Sequence, residues 1–251
     1  MISFNFISKV FMFPVYYLIH YNFIFGLWHK KFIKKFYYKK YIFELKGCDL
    51  PLPSYSSFIF KTYELNDRII LENNLSKKNK CIIVGGGIGF IPTIASNITK
   101  NKIAVFEINK QIIFNLKKNL KKNSSNYKVY DGNLLLNKNN KENYYYSSQN
   151  FLASSFYRKN GIKKKVKHYW YKDLKNISKF NTLIIDGEGI EKHYIDNIAR
   201  LKNIKHIFFE FHNDIFSNKE KNNLFSHLKK NKFFFKDSFI NSYYYRKIDN
   251  V

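Results

Sequence analysis

The sequence predicts an α/β fold in which a mostly parallel, twisted sheet carries helices on both faces. Short apolar runs alternate with amphipathic segments between residues 80 and 130, and the first run stops at a cluster of glycines. A less regular stretch follows, and the alternation resumes at residue 182. Because parallel strands that follow one another need right-handed crossovers, these observations favour a doubly wound sheet.

The first half of the sheet is a predicted βαβαβ unit. Strands and helices alternate over residues 80–84, 90–99, 102–106, 109–122 and 127–130. Pro92 fits the first turn of the first helix, where a missing N–H is tolerated. The second helix is amphipathic, with apolar residues at helical spacing at Ile112, Ile113, Leu116 and Leu120.

Residues 137–180 break this order, and we expect an inserted β-hairpin there. A polar stretch rich in Asn and Lys leads into three tyrosines, and residues 163–171 alternate enough for a strand. After the insert, strands are predicted at 182–185 and 206–211 and helices at 190–201 and 219–230. Residues 233–235 and 243–247 are predicted to close the sheet as an antiparallel pair.

The length and composition fit one domain with a short appendage. The chain has 251 residues, of which 45% are hydrophobic, so it can bury a core and is not wholly disordered. We expect a basic, aromatic, helical appendage over residues 1–60 and the main domain over residues 61–251. Cys48 and Cys81 are the two cysteines, which excludes a disulfide scaffold and indicates a reducing compartment.

The net charge of +26 attracts polyanions, but the type of basic residue argues against nucleic acid. Only four of the 44 basic residues are arginines, and readers of bases and phosphates favour the bidentate guanidinium. The excess of Lys, Asn, Ile, Tyr and Phe is typical of an AT-rich coding sequence. No nucleic acid partner is therefore expected.

The amino-terminal segment has three possible interpretations. Residues 10–28 carry no Asp, Glu, Lys or Arg, and a lysine-rich stretch interleaved with aromatic residues follows. The segment fits helices packed beside the domain, an interfacial anchor on anionic lipid, or a membrane span. We expect a cytoplasmic protein, with peripheral contact to the inner face of the membrane through residues 10–40 in the second case.

A glycine turn marks a cofactor site. Gly85, Gly87 and Gly89 follow the first strand, and Glu107 ends the second strand 18 residues later, where a carboxylate can bind both hydroxyls of a ribose. The cofactor is then a dinucleotide or S-adenosylmethionine. A dinucleotide fingerprint places a third glycine where Phe90 stands, so NAD is disfavoured.

From about Tyr63 to its end the chain resembles the FkbM-like family of class I S-adenosylmethionine-dependent methyltransferases, which have a Rossmann-like fold. The strongest element is Leu183–Glu191, which is similar to that family's I-D-x-E-G-x-E strand end. Three further segments agree in order and spacing, namely Thr62–Glu64, Phe106–Asn109 and Phe209–His212.

This resemblance implies roles for individual residues. Gly85, Gly87 and Gly89 would lie against the methionine part of the cofactor, Glu107 would hold the ribose, Ile108 would pack on the adenine, Asp131 would bind the adenine amino group and Glu64 would approach the cofactor amine. The chain departs from the family at two positions. Ile83 replaces an acid that would face the cofactor's ammonium group, and Ile184 replaces a common lysine.

The predicted catalytic residues follow the strands of the second half. Asp186, Glu188 and His212, together with Glu210, lie at or just beyond strand ends, where open α/β sheets bind ligands. A hydroxyl acceptor benefits from a general base, for which Asp186 and His212 are the candidates. Two or three of these carboxylates with His212 could also hold a divalent cation, but no pair of ligands at helical spacing supports this alternative, and no metal is expected. The resemblance implies an O-methyltransferase for a sugar or glycan precursor; the alternative is a degenerate methyltransferase fold that binds membranes or polyanions.

Overall fold

The structure is a computed structural model that describes residues 27, 30–32, 34–48, 50–124, 126–136, 144–147, 162–174, 176, 179–187 and 189–248. The helices are α1 (Leu52–Ile59), α2 (Leu65–Asn74), α3 (Phe90–Thr99), α4 (Lys110–Asn123), α5 (Glu191–Asp196) and α6 (Asn218–Lys230). The strands of the first part are β1 (Lys35–Tyr38), β2 (Tyr41–Glu44), β3 (Cys81–Val84), β4 (Ile103–Glu107), β5 (Tyr127–Asp131) and β6 (Asn133–Leu135). The remaining strands are β7 (Tyr144–Ser147), β8 (Ile162–Lys165), β9 (His168–Trp170), β10 (Thr182–Ile185), β11 (His206–Glu210), β12 (Phe233–Phe239) and β13 (Ser242–Lys247).

Seven strands form the central sheet, in the order β12-β13-β11-β10-β3-β4-β5. Strands β11, β10, β3, β4 and β5 are parallel, and β13 is antiparallel to both of its neighbours. The chain leaves β3 toward β5 on one side and later leaves β10 toward β11 on the other. The topological switch point, where such sheets bind ligands, therefore lies between β3 and β10.

Each face of the sheet has its own apolar core, and alternate residues of each strand belong to different cores. On β3, Ile83 joins the cluster formed with α2, α3 and α4, whereas Ile82 and Val84 join the cluster formed with α5 and α6. The same alternation holds on β10, where Ile184 faces the first cluster and Ile185 the second. The sheet thus has helices on both faces, and the predicted fold class is confirmed.

The predicted elements of the main domain are present with small shifts at their ends. The largest difference is the helix expected over 190–201, because α5 ends at Asp196 and a 3₁₀ turn, Ile198–Arg200, follows. Asn197 has a non-helical backbone, and its side-chain amide donates to the carbonyl of His193 at 2.9 Å. The antiparallel closing pair, β12 and β13, and the inserted hairpin, β7 and β8, are both present.

Part of the expected helical appendage is instead a β-hairpin. Strands β1 and β2 pair antiparallel over residues 35–44, so the prediction of helix is wrong for this segment. The reason is the period of the sequence, since Phe36, Tyr38 and Phe43 are buried and alternate with exposed or half-exposed neighbours. Their rings pack on Phe90, the first residue of α3, and belong to one of the two sheet cores.

Most of the segment that raised the question of membrane contact, residues 10–28, lies outside the described residues. Within the part of the chain that the structure describes, no helix has both the length and the apolar character needed to cross a bilayer.

Candidate active site

The glycine turn follows β3 at the switch point, and it permits a close approach between two chain segments. Gly85 has φ +87°, and a Cβ there would lie 1.7 Å from the carbonyl oxygen of Asp186. The main-chain N–H of Asp186 donates to the carbonyl of Val84 at 2.9 Å. The strand ends of β3 and β10 can meet this closely only because residue 85 has no side chain.

Glu107, at the end of β4, lies against this turn. Its Oε2 accepts from the main-chain N–H groups of Gly86 and Gly87, both at 2.9 Å, and its Oε1 accepts from the N–H of Asn109 at 2.8 Å. Burial raises the pKa of Glu107, while these main-chain donors act in the opposite direction. The structure therefore brings together the two features that the sequence links, the glycine turn and the acid one crossover later.

The turn leaves open space on one side of Gly87. Gly87 has φ +50°, and the nearest described atom to a Cβ there is a carboxylate oxygen of Glu64, 3.6 Å away. Glu64 directly precedes α2, so a second acid, from the start of that helix, borders the turn. Gly89 differs, since a Cβ there would meet Leu116 at 3.3 Å; this glycine permits close packing of α4.

The other residues predicted for cofactor binding lie near Glu107. Asp131 ends β5 and is the Cα partner of Glu107 in the register of the two strands. Ile108 follows Glu107 and is partly exposed. The carboxyl ends of β4 and β5 thus present two neighbouring acids on one side of the glycine turn.

A second group of polar side chains follows β10 and β11. Asp186, Glu210 and His212 each place one ligand atom within 4.8 Å of the others. The Nε2 of His212 lies 3.8 Å from an oxygen of Glu210. Glu188, the third residue predicted for catalysis, lies outside the described residues. These atoms suit proton transfer, and they also form a donor set that a divalent cation accepts, although the sequence does not predict a metal.

Glu191 orients the histidine of this group, and the sequence prediction missed that role. Its side chain is fully buried at the start of α5, and its Oε1 lies 3.0 Å from Nδ1 of His212 and 3.3 Å from the N–H of the same residue. A carboxylate on Nδ1 favours the tautomer whose Nε2 is free of hydrogen and faces Glu210. The signal was present in the sequence, since Glu191 is the last acid of the I-D-x-E-G-x-E segment.

A cavity of about 280 Å³ opens beside this group and is lined by acids. Glu64, Asp67 and Glu210 line it, with no lysine or arginine among its described lining residues, although the chain as a whole is strongly basic. Burial raises the pKa of Glu64 to about 7. Burial, and then the charge of Glu210, raise the pKa of Asp67 well above its ordinary value.

Asp67 is a residue that the sequence did not assign to the site, whereas Glu210 was predicted at a ligand-binding strand end without a role of its own. Side chains from distant segments hold both. The hydroxyl of Ser242 donates to Asp67 at 2.7 Å, and the amide of Asn241 donates to Glu210 at 2.6 Å. Asn241 in turn accepts from the amide of Asn66 at 2.7 Å. No local sequence pattern joins these positions, which the turn between β12 and β13 brings to the cavity.

The comparisons with known proteins concern the fold. No family model and no curated protein sequence matches this chain. Solved structures with a similar fold include precorrin-6y C5,15-methyltransferase from Geobacter metallireducens, which is 15% identical over 74% of this chain and 89% of its own, with a TM-score of 0.46. A methyltransferase from Pyrococcus furiosus is 13% identical over 76% and 84%, with a TM-score of 0.45. TYW2 from P. horikoshii, in complex with MeSAdo, is 7% identical over 84% and 68%, with a TM-score of 0.47. Similarity at this level leaves the activity of the chain to be inferred from its own side chains.

Proposed function

We propose that this protein is a methyltransferase of the FkbM-like class that uses S-adenosylmethionine to methylate a hydroxyl group of a sugar or glycan precursor. One observation carries the proposal. The carboxylate of Glu107 lies 2.9 Å from two main-chain N–H groups of the glycine turn, so the ribose-binding acid and the turn form a single site. The family's acids at the ends of β10 and β11 stand beside it.

The residues around the turn divide the cofactor between them. Glu107 accepts from the ribose hydroxyls, and Asp131, on the adjacent strand end, accepts from the adenine amino group. Glu64 borders Gly87 and provides the carboxylate for the cofactor's ammonium group. Ile83 stands where the family has an acid for this ammonium group, and its side chain is buried in the core. Glu64 borders the turn and takes the place of that missing acid.

The second group of side chains acts on the acceptor. When bound, S-adenosylmethionine supplies an activated methyl group: the acceptor oxygen forms the new C–O bond as its proton leaves, and the electron pair of the broken C–S bond stays on sulfur. His212 or Asp186 takes that proton, and Glu191 holds the imidazole in the orientation and tautomer that a base requires. Positioning provides the rest of the rate enhancement.

The charge of the cavity supports an acceptor that carries no phosphate. Glu64, Asp67 and Glu210 line it, and their carboxyl groups can form hydrogen bonds with sugar hydroxyls in either protonation state. No cationic side chain among the described lining residues is available to bind a phosphate. Ser54, Ser57 and Thr62 add hydroxyl groups to the lining. A polyhydroxylated, uncharged acceptor therefore suits this cavity.

A peripheral contact of residues 10–40 with anionic lipid stays a prediction.

Calorimetric titration with S-adenosylmethionine tests the cofactor assignment. The wild type should bind, and Glu107→Gln should weaken binding at least about tenfold, because it removes a charged acceptor of two ribose hydrogen bonds. Glu72→Gln is the matched control, since Glu72 pairs with Lys39 on the surface, and its affinity should equal that of the wild type. Salt-sensitive binding to anionic vesicles without any cofactor binding would contradict the proposal and favour a degenerate fold.

Turnover with a panel of sugar acceptors tests the catalytic assignment. Asp186→Asn should abolish methyl transfer to a hydroxyl while it leaves the affinity for S-adenosylmethionine nearly unchanged. Equal loss of turnover and affinity would place Asp186 in cofactor binding instead.

A further inference from the structure

Helix α4 and the hairpin of β1 and β2 form one unit. The side-chain oxygen of Asn119 accepts from the N–H of Glu44 at 2.7 Å, and its amide nitrogen donates to the carbonyl of the same residue at 3.2 Å. Asn123, one helical turn further, forms the same pair of hydrogen bonds with Ile42, at 2.9 and 2.8 Å. Because these side chains satisfy one edge of β2 as a neighbouring strand would, they hold the hairpin against the helix.

The solvent-facing side of α4 is basic and carries an aromatic ring. The helix contains five lysines and no acidic residue, and all five lysines are exposed. They are Lys110, Lys117, Lys118, Lys121 and Lys122. With 3.6 residues per turn, the five lysines fall within an arc of about 140° around the helix axis. Phe114 lies near the centre of this arc, and its side chain is 70% exposed.

The outer side of the hairpin continues this surface. Glu44 of β2 pairs with Lys118 and Lys122 of α4, at 3.8 and 3.2 Å, and with Lys35 of β1 at 3.4 Å. Tyr37 lies on the same side of β1 as Lys35 and is 60% exposed. We call this surface, which consists of the five lysines and Phe114 of α4 with Lys35 and Tyr37 of β1, the basic face.

A lysine-rich composition does not by itself produce such an arrangement. Helix α6 also contains four lysines, but it contains Glu220 as well. Its apolar residues, Leu224, Phe225 and Leu228, are buried or half-buried. An exposed ring among lysines without an acid on the same helix therefore distinguishes α4 from α6.

The chemistry of the basic face indicates the kind of partner that it fits. Lysines attract anionic headgroups, and an aromatic side chain among them can enter the boundary between headgroups and acyl chains, as on interfacial amphipathic helices. Nucleic acid suits the face less well, because the face has no arginine for bidentate contacts with phosphates. A single exposed Phe is common on protein surfaces, so the argument depends on its position at the centre of the lysines.

We propose that the basic face docks on an anionic lipid bilayer, with the ring of Phe114 inserted between headgroups and the surrounding lysines on the negative charges of the lipids. The proposal does not depend on methyl transfer. It assigns membrane contact to a folded surface of the main domain, most of which lies outside residues 10–40.

Sedimentation of the full-length chain with vesicles tests the role of the lysines. The wild type should bind vesicles of equal parts phosphatidylglycerol and phosphatidylcholine, should not bind pure phosphatidylcholine, and should bind less as salt is added. The double variant Lys117→Gln/Lys121→Gln should bind the anionic vesicles at least about tenfold more weakly. Lys229→Gln/Lys230→Gln is the matched control, because it removes the same charge from α6, and its affinity should stay within about twofold of the wild type.

Substitution of Phe114 tests the role of the ring. Phe114→Ser should weaken binding to the anionic vesicles about tenfold, because the ring no longer leaves water on docking. Its melting temperature should be nearly unchanged, since the ring is exposed in the free protein. Ile162→Ser is the control, because Ile162 is 71% exposed on β8, outside the basic face, and its substitution should leave vesicle binding unaltered.

Phe114→Trp reports insertion directly. Its fluorescence, after subtraction of the wild-type signal, should shift to shorter wavelength when anionic vesicles are added. An unchanged spectrum, equal vesicle affinities for the two double lysine variants, or no vesicle binding by the wild type would overturn the proposal. Tighter binding to a single-stranded RNA oligonucleotide, lost in Lys117→Gln/Lys121→Gln but kept in Phe114→Ser, would assign the basic face to nucleic acid instead.

Discussion

Two groups of acids lie at the same edge of the sheet, but the molecule holds them in different ways. Glu107 accepts hydrogen bonds from three main-chain N–H groups, whose positions are set by the glycine turn and the start of α4. Asp67 and Glu210 accept from the side chains of Ser242 and Asn241. The first arrangement depends on backbone conformation, and the second depends on the identity of distant side chains.

The hydrogen bonds of the two groups are disrupted by different changes in the chain. Main-chain donors cannot be removed by substituting a side chain, so the surroundings of Glu107 change only if the turn itself is distorted. The acids of the cavity lose a partner when the donating side chain, Ser242 or Asn241, is substituted. Two of these acids, Glu64 and Asp67, also have a raised pKa, mainly because they are buried. Each group should therefore respond to a different kind of variant.

Gly85→Ala should have the largest effect, because it breaks the turn. A Cβ at this position would overlap the carbonyl of Asp186, and the residue would keep a positive φ, so the free energy of unfolding should fall by at least about 3 kcal/mol. Gly47→Ala is the matched control. Gly47 has φ +83° but no described atom near the Cβ, so its loss should be about 1–2 kcal/mol. Equal losses in urea unfolding would show that the contact with Asp186 is unimportant.

Glu64→Gln should change how stability depends on pH. Glu64 has a pKa of about 7 in the folded protein and an ordinary value near 4.5 when unfolded, so the native state binds the extra proton between these values. The wild type should therefore lose stability as the pH rises from about 4.5 through about 7, and the variant should gain on it by about 3 kcal/mol at most. His206, whose pKa is lowered to about 4, titrates in both proteins and cancels in the difference. The charge of Glu64 also raises the pKa of Asp67, so its removal in the variant adds to the difference in the same direction. A difference that stays constant across this range would show that Glu64 titrates normally.

Ser242→Ala should have the smallest effect. The variant removes one donor to Asp67 and should lower the free energy of unfolding by about 1 kcal/mol. Ser56→Ala provides the control, because the hydroxyl of Ser56 is buried without a partner among the described residues, so its loss should be neutral or stabilising. Guanidinium unfolding of both variants measures the contrast, and a larger loss for Ser56→Ala would contradict it.

Local sequence pattern was sufficient to predict the main helices and strands, and it was sufficient to predict the glycine turn with Glu107. The apolar runs of β3, β4 and β10 and the amphipathic pattern of α4 predicted these elements within a residue or two of their observed ends. The prediction of a helix over residues 35–44 was wrong, because the basic and aromatic residues there follow the period of a strand. The predicted helix over 190–201 was too long, because Asn197 ends α5 early.

Sequence pattern alone predicts the order of strands and helices along the chain, the glycine turn and the placement of Glu107, because these follow from periodicity, backbone freedom at glycine and one right-handed crossover. The tertiary structure is what brings Asp67 and Glu210 to one cavity and places the hydroxyl of Ser242 against Asp67. Those contacts join segments far apart in the chain, and they arise from the insertion of β13 between β11 and β12. Long-range packing of this kind leaves no periodic trace in the sequence.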